Sequence, residues 1–262
     1  MRIFRYVPLK FIKKILQTKS LYFSNVLNWE DPYECFLFKQ RIFTESGGDF
    51  KNSGFCPVYF GQCWTTRKES DAMWRIYSVK SKDLKQDKEK LEDVAIKIEI
   101  ESVVLEKNLQ NLCRYNTEKK IECREVIYTD SDYIKDAIKN IHQMNFYNIQ
   151  DLMLKSLFYK RKSFEHECEY RFIVQVPPQE VEPQASHMMI DFDATAIKEY
   201  IADPRLSDEQ FQRIKSELVS LKVDEYKIKK SKLYHPIERI EICVEKHGLI
   251  NNNSYQVQDE KN

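Results

Sequence analysis

The residues best suited to chemistry lie in one stretch, Glu165-His166-Glu167-Cys168-Glu169-Tyr170-Arg171-Phe172, which runs on into Ile173-Val174-Gln175-Val176. It reads as a loop that becomes a β-strand. Successive strand side chains point to opposite faces. A strand that begins by Glu167 puts Glu167, Glu169 and Arg171 on one face. Cys168, Tyr170, Phe172 and Val174 then share the other, a good core face. The charged face is either a solvated salt-bridge ladder or the acidic half of an active site. Exposed ladders are common and contribute little each, so the stretch by itself favours the ladder.

Other familiar site patterns are missing. The sequence has no Gly-rich phosphate loop, no HExxH, no GxSxG and no paired-His metal spacing. His142, His166, His187, His235 and His247 are isolated from one another and read as surface or satisfied residues. Hydrolase, kinase, Rossmann and zinc-enzyme readings therefore lack support, and no metal is expected.

The elements that must position the glutamates begin at the N-terminus. Residues 2–7 alternate as a strand with Ile3, Arg5 and Val7 on one face. Pro8 suits a first helical turn, and Leu9, Ile12 and Leu16, with Phe11 and Ile15, form a helical stripe to about Thr18. Leu21-Tyr22-Phe23-Ser24 is a second strand. Asn25 to Glu34 is turn-rich around Asp31-Pro32, and residues 35–44 fit strand or helix equally. Further strands are expected at 57–64, 94–100, 122–128, 167–176, 188–192, 197–202, 226–229 and 240–244. Helices are expected at 71–77, 101–114 and within 132–160. Another starts at the capping box of Ser207 and Gln210. The charge run 79–93 reads as a surface loop or exposed helix, and 179–187 as a loop.

With no repeat and no clear linker, the expectation is one α+β domain over 1–248 and a polar tail over 249–262. Its central split or mixed sheet is flanked by helices. Lys+Arg 42 against Asp+Glu 41 leaves a net charge of +1, so no global field pulls the protein to nucleic acid or membrane. Seven cysteines without CxxC spacing suggest reduced, mostly buried thiols. With no signal-peptide pattern and no bilayer-length apolar run, a cytoplasmic protein is expected.

Arg5 on the first strand, Tyr22 and Ser24 on the second, and Glu167-x-Glu169 much later resemble the ADP-ribosyltransferase superfamily. The N-terminal part also looks like RNA 2′-phosphotransferases and DNA-modifying ADP-ribosyltransferase toxins. A second resemblance covers most of the chain. It rests on Phe4-Arg5-Tyr6, Leu21-Tyr22-Phe23-Ser24, Asp31-Pro32-Tyr33-Glu34, Cys63-Trp64, Met73-Trp74 with Tyr77, and Phe164 with Glu167, Glu169, Tyr170 and Arg171. This series resembles a bacterial domain-of-unknown-function family that includes AbiGi-like abortive-infection proteins. Glu30, Trp64 and Phe164 depart from that family's usual Asn, Ser and Trp; none is a candidate acid.

These resemblances imply an NAD-consuming transferase in toxin or phage-defence biology. The acceptor is RNA (ahead of DNA) or protein, and an antitoxin or chaperone is the implied partner. Glu169 would stabilise the oxocarbenium-like transition state, and Glu167 would act as general base on the acceptor. Arg5 would hold the pyrophosphate or adenosine ribose, Ser24 and Tyr22 the nicotinamide side, and Tyr170 or Tyr33 would stack on it. Arg75 is a further ligand-facing candidate, while Met73 and Trp74 read as core. Arg171 reads as scaffold, and Asp31 and Glu34 close the cleft or fix a loop. Two other readings stand beside this one: a non-catalytic binding or sensor module, and a carboxylate-based metal nuclease that lacks a convincing third ligand.

Overall fold

The computed structural model describes residues 1–43, 47–48, 56–78, 88–113, 119–130, 146–182 and 185–235. The strands are β1 (Arg2–Pro8), β2 (Ser20–Asn25), β3 (Val58–Thr65), β4 (Ala95–Glu101), β5 (Lys120–Glu125), β6 (Ile127–Thr129), β7 (Tyr159–Arg161), β8 (Glu169–Val176), β9 (His187–Asp191), β10 (Glu199–Ala202) and β11 (Ile228–Lys230). The helices are α1 (Leu9–Thr18), α2 (Phe36–Lys39), α3 (Asp71–Tyr77), α4 (Ser102–Cys113), α5 (Phe146–Ser156) and α6 (Asp208–Ser220). The fold is mixed α+β: a large mixed sheet flanked by helices. No helix among the described residues is long and apolar enough to cross a membrane.

The sheet branches at β3. Its order is β11-β10-β4-β1-β3-β2-β9, while β8 pairs with both β3 and β5. One edge of β3 is covered along its whole length by β8, from Val58↔Val176 to Thr65↔Glu169. The other edge is shared. β2 pairs with it at Ser24↔Gly61 and Asn25↔Phe60, and β1 only at Phe4↔Thr65. Between those two contacts β1 and β2 part, leaving a split in the sheet. The apolar stripe of α1 closes over it, burying Leu9, Ile12 and Ile15. Helix α1 ends at Lys19, whose left-handed backbone (φ 51°) turns the chain straight into β2.

Strand β8 is buried on both faces. Tyr170, Phe172, Val174 and Val176 join the main core with Ile3, Val7, Phe60 and Ile98. Ile173, on the opposite face, joins a second core made by Val26, Leu37, Phe38, Met153, Leu157 and Phe158. The expected ladder face is therefore roofed by α2, α5 and the segment before α2.

Several expectations change. β8 starts at Glu169, because Cys168 adopts a left-handed conformation (φ 44°) that ends a 3-10 turn over Lys162–Glu167. The strand expected at 122–128 breaks at Val126: Val126 N–H still bonds Glu169 O at 2.9 Å, whereas Ile127 N–H turns to Phe158 O at 2.8 Å. Pro8 sits at the N-cap and not in the first turn of α1. The ambiguous 35–44 segment contains the short helix α2. The strands expected at 197–202 and 226–229 start later, at Glu199 and Ile228, each after a 3-10 turn. The end of the 79–93 charge run is anchored: Leu91 is buried and Lys10 Nζ meets Asp93 at 2.6 Å. Cys35 is buried but Cys56, Cys63, Cys123 and Cys168 are only half-buried, so the thiols are less enclosed than expected. The capping box at Ser207 forms as read. The expected strand at 240–244, the tail over 249–262 and the 132–145 part of the helical region lie outside the described residues.

Candidate functional site

A cavity of about 620 Å³ occupies the split between β1 and β2. Arg5, Tyr22, Ser24, Glu167 and Glu169 all line it, as do Gly61 to Thr65 of β3, which form its floor. Two side-chain bonds run along the floor to β2. Trp64 Nε1 donates to Gln62 Oε1 at 2.7 Å, and Gln62 Nε2 donates to Tyr22 O at 3.0 Å. Phe11 and Lys14 of α1, Tyr77 of α3 and Met189 of β9 complete the rim.

The acidic wall is a buried cluster of five charged side chains. Lys160 Nζ, on β7, lies 2.5 Å from Glu169 Oε1, 2.7 Å from Glu167 Oε2 and 3.2 Å from Glu34 Oε1. Arg171 Nε donates to Glu169 Oε2 at 2.6 Å, its Nη1 donates to Leu157 O at 2.6 Å, and its Nη2 donates to Glu34 Oε1. Arg171 is completely buried and Glu169 is 5% exposed. Glu34 reaches the cluster because Asp31 shapes its turn. Tyr33 N–H donates to the Asp31 carboxylate at 3.0 Å and Glu34 N–H to Asp31 O at 3.1 Å, while Arg161 Nη2 pins the same carboxylate at 3.1 Å. Phe164 lies 4.7 Å from Lys160 Nζ, a cation–π contact.

The two glutamates titrate differently. Burial works to raise the Glu169 pKa, but Arg171, the Glu167 carboxyl and Lys160 outweigh it and hold Glu169 well below the usual carboxylate range. For Glu167, burial and the hydrogen bond with Glu169 win over Lys160 and push the carboxyl up to about 7. Burial alone would depress Lys160; Glu169 and Glu34 instead raise it, so its ammonium is firmly charged. The Cys63 thiol also lines the cavity, but burial and then Glu169 push it well up, away from a nucleophilic thiolate.

Opposite in character is Arg5. It is half-buried, and among the described residues its guanidinium meets no carboxylate. Burial lowers its pKa, with Cys63 and Tyr77 acting against that. Lys14, at the same cavity, also has no carboxylate partner among the described residues. Unpaired cations at a concave wall are ready to meet an anionic ligand.

Ser24 lines the cavity, yet its hydroxyl is already committed. It donates to Gly61 O at 3.3 Å and accepts from Trp29 Nε1 at 3.0 Å. Trp29 in turn covers Arg171, 4.6 Å from the ring centroid. Ser24 thus supports the charged cluster through Trp29. Gly61 is required below that ring, since a Cβ there would lie 2.5 Å from Trp29 Cζ2. Tyr22 is 43% exposed and stacks on His187 with ring centroids 4.6 Å apart.

Two candidates lie outside the cavity. Tyr170 points to the opposite face of β8, where its hydroxyl donates to Glu106 at 3.0 Å and its ring packs on Phe172. Arg75 pairs with Asp71 at 2.7 Å and with the Tyr234 hydroxyl at 3.3 Å on an exposed surface. Tyr33 lies under Arg161. Met73 and Trp74 are buried, as their types suggest. Lys160 and the Tyr22–His187 stack were not legible as site features. Lys160 had only its place at the end of a helical region, and His187 no partner in the sequence. No family model, curated protein or solved structure matches the chain.

Proposed function

We propose that the protein is an NAD-dependent ADP-ribosyltransferase of ADP-ribosyltransferase-like fold, acting as a bacterial toxin or phage-defence effector. The reading is carried by one observation. Arg5 and Tyr22 from the first two strands, and Glu167 and Glu169 from far along the chain, line a single cavity at the split of the sheet.

The chemistry needs an anion next to a ribose whose C1′ becomes electron-poor as nicotinamide leaves with the bonding pair. Glu169 is that anion, fixed by Lys160 and Arg171. A carboxylate accepts up to about four hydrogen bonds, so it retains capacity for the ribose 2′-OH. Glu167 takes the proton from the acceptor nucleophile as that atom bonds C1′; a pKa near the working pH suits this role. Arg5 and Lys14 face the diphosphate, and the exposed rings of Phe11 and Tyr22 offer flat surfaces for bases. Arg75 and Tyr170 drop out of the binding set on position, and Ser24 acts as a support. The acceptor we favour is nucleic acid, RNA ahead of DNA, with protein next.

A second reading, a non-catalytic binding or sensor module, is favoured by the fact that both Glu169 oxygens already accept bonds from cations. A metal nuclease is disfavoured by the Lys160 ammonium, which sits among the three carboxylates where a divalent ion would lie. Incubating the protein with labelled NAD and cellular RNA, DNA and protein separates these. Transfer predicts label in one acceptor class, and none with Glu169→Gln. Absence of nicotinamide release from every mixture points to the binding module. Metal-dependent cutting without NAD points to the nuclease.

A further inference from the structure

The five charges of the buried cluster do not balance. Glu34, Glu167 and Glu169 face Lys160 and Arg171. Three carboxylates against two cations leave one negative charge uncompensated among largely buried side chains, of which Glu167 is the most exposed, and that is unfavourable. One proton restores neutrality. Its location follows from the contacts. Glu169 touches both cations, one on each oxygen. Glu34 also touches both, through its Oε1. Glu167 touches only Lys160 and lies within hydrogen-bonding reach of Glu169. It is the least compensated of the three.

We propose that Lys160 and Glu34 are positioning residues that decide where this proton sits: Lys160, beyond holding Glu169 as the anion, and the surplus charge from Glu34 together keep the proton on Glu167. This deepens the transferase reading and rests on it only for the use to which the proton is put. The cluster is set for proton traffic at one carboxyl group while its neighbour stays charged. Arg5 of β1 faces the same cavity but, among the described residues, makes no ion pair with these carboxylates, and the other groups near Glu167 carry no charge. Tyr77 from α3 and Tyr128 from β6 are phenols that burial drives upward, and Cys63 from β3 is a raised thiol, so all three are neutral. Glu169 N–H donates to the Tyr128 hydroxyl at 2.8 Å, which fixes the start of β8 without adding charge.

Two substitutions push the balance in opposite directions. Lys160→Met leaves three carboxylates against one cation, so Glu167 should hold its proton to higher pH. Glu34→Gln leaves two against two, so Glu167 should release its proton at lower pH. Each change should move the midpoint by about one pH unit or more. The side-chain carboxyl carbon of Glu167, followed by NMR across a pH titration, reads this directly in the full-length protein without any turnover. Glu34→Gln keeps an acceptor for Arg171, so it remains informative if Lys160→Met does not fold; Lys160→Arg should restore the wild-type midpoint. Opposite shifts support the proposal. A Glu167 midpoint unmoved in folded Glu34→Gln, or moved upward, overturns it. Labelled NAD run on the same samples separates the two ideas. Opposite shifts with no nicotinamide release sink the transferase reading alone, and turnover with unmoved midpoints sinks the proton assignment alone.

Discussion

Lys97 and Lys160 are both buried ammonium groups, and both meet carboxylates and aromatic rings. Lys97 donates to Lys68 O at 2.6 Å and to Glu69 Oε2 at 3.1 Å, with the rings of Phe4, Tyr6 and Trp74 within 6.0 Å. Glu69 also accepts from Trp74 Nε1 at 2.6 Å and from Ser231 Oγ at 3.2 Å. One cation meets one carboxylate, the acceptors are filled, and neither residue lines the cavity. Lys160 instead serves three carboxylates, two of which line it. A balanced pair, with Lys97 buried and Glu69 half-buried, holds the sheet to its neighbours. An unbalanced one, opened to a cavity, keeps a proton that can move.

Breaking each region separately should give different losses. The largest effect is expected at Glu169. Glu169→Gln should lower NAD turnover by about 10²–10⁴, measured as nicotinamide release per folded molecule. In the Lys97 region, Glu69→Ala strands a buried ammonium and should lower stability by about 3–5 kcal/mol, read by urea unfolding, while turnover per folded molecule stays unchanged. Equal losses of activity in the two variants would erase the distinction.

The pH profile sharpens it further. Glu167, raised to about 7, must be ionised to accept a proton, so kcat/KM should climb through pH 7 and fall about tenfold per unit below it. The same group acts on stability in the opposite sense. Its folded-state pKa lies above the unfolded one, so the stability it contributes is lost as pH rises through about 7. Glu169, held low, contributes stability above its unfolded pKa that is lost in acid.

Smaller effects test the supports. Gly61→Ala must displace the Trp29 ring that covers Arg171 and should cost about 1–3 kcal/mol of stability. Tyr170→Phe removes one hydrogen bond on the far face of β8, so a loss of about 1 kcal/mol is expected with no change in KM. Arg75→Ala should leave both melting temperature and KM where they are, since its partners are exposed.

Much of this layout can be read from residue patterns, because alternation and helical periodicity fix which side chains share a face. The opening strand, α1 and the face of β8 carrying Tyr170, Phe172 and Val174 follow from such patterns. The charged face of β8 does not. Glu169 and Arg171 look like a solvated ladder until α2 and α5 are seen to cover them. The hint was Ile173, an apolar side chain on that same face. Lys160 carries no signal in the sequence, and Glu34 reads only as a cleft or loop residue, because their contacts span 137 residues between Glu34 and Arg171 and depend on how β7 and the Asp31 turn are placed. Burial of a charge is decided by tertiary packing and not by local sequence. Arg75 and Tyr170 misled because residue type suggested ligand contact while their placement gives each a partner elsewhere.

The most direct test is nicotinamide release from NAD by purified wild-type protein and folded Glu169→Gln, assayed at pH 8 with cellular RNA, DNA and protein as acceptors. We expect release with label transferred to one acceptor class by the wild type, and neither from the variant. Release that persists unchanged in Glu169→Gln, or a folded wild type that releases none in any mixture, would contradict the assignment of this cavity to ADP-ribose transfer.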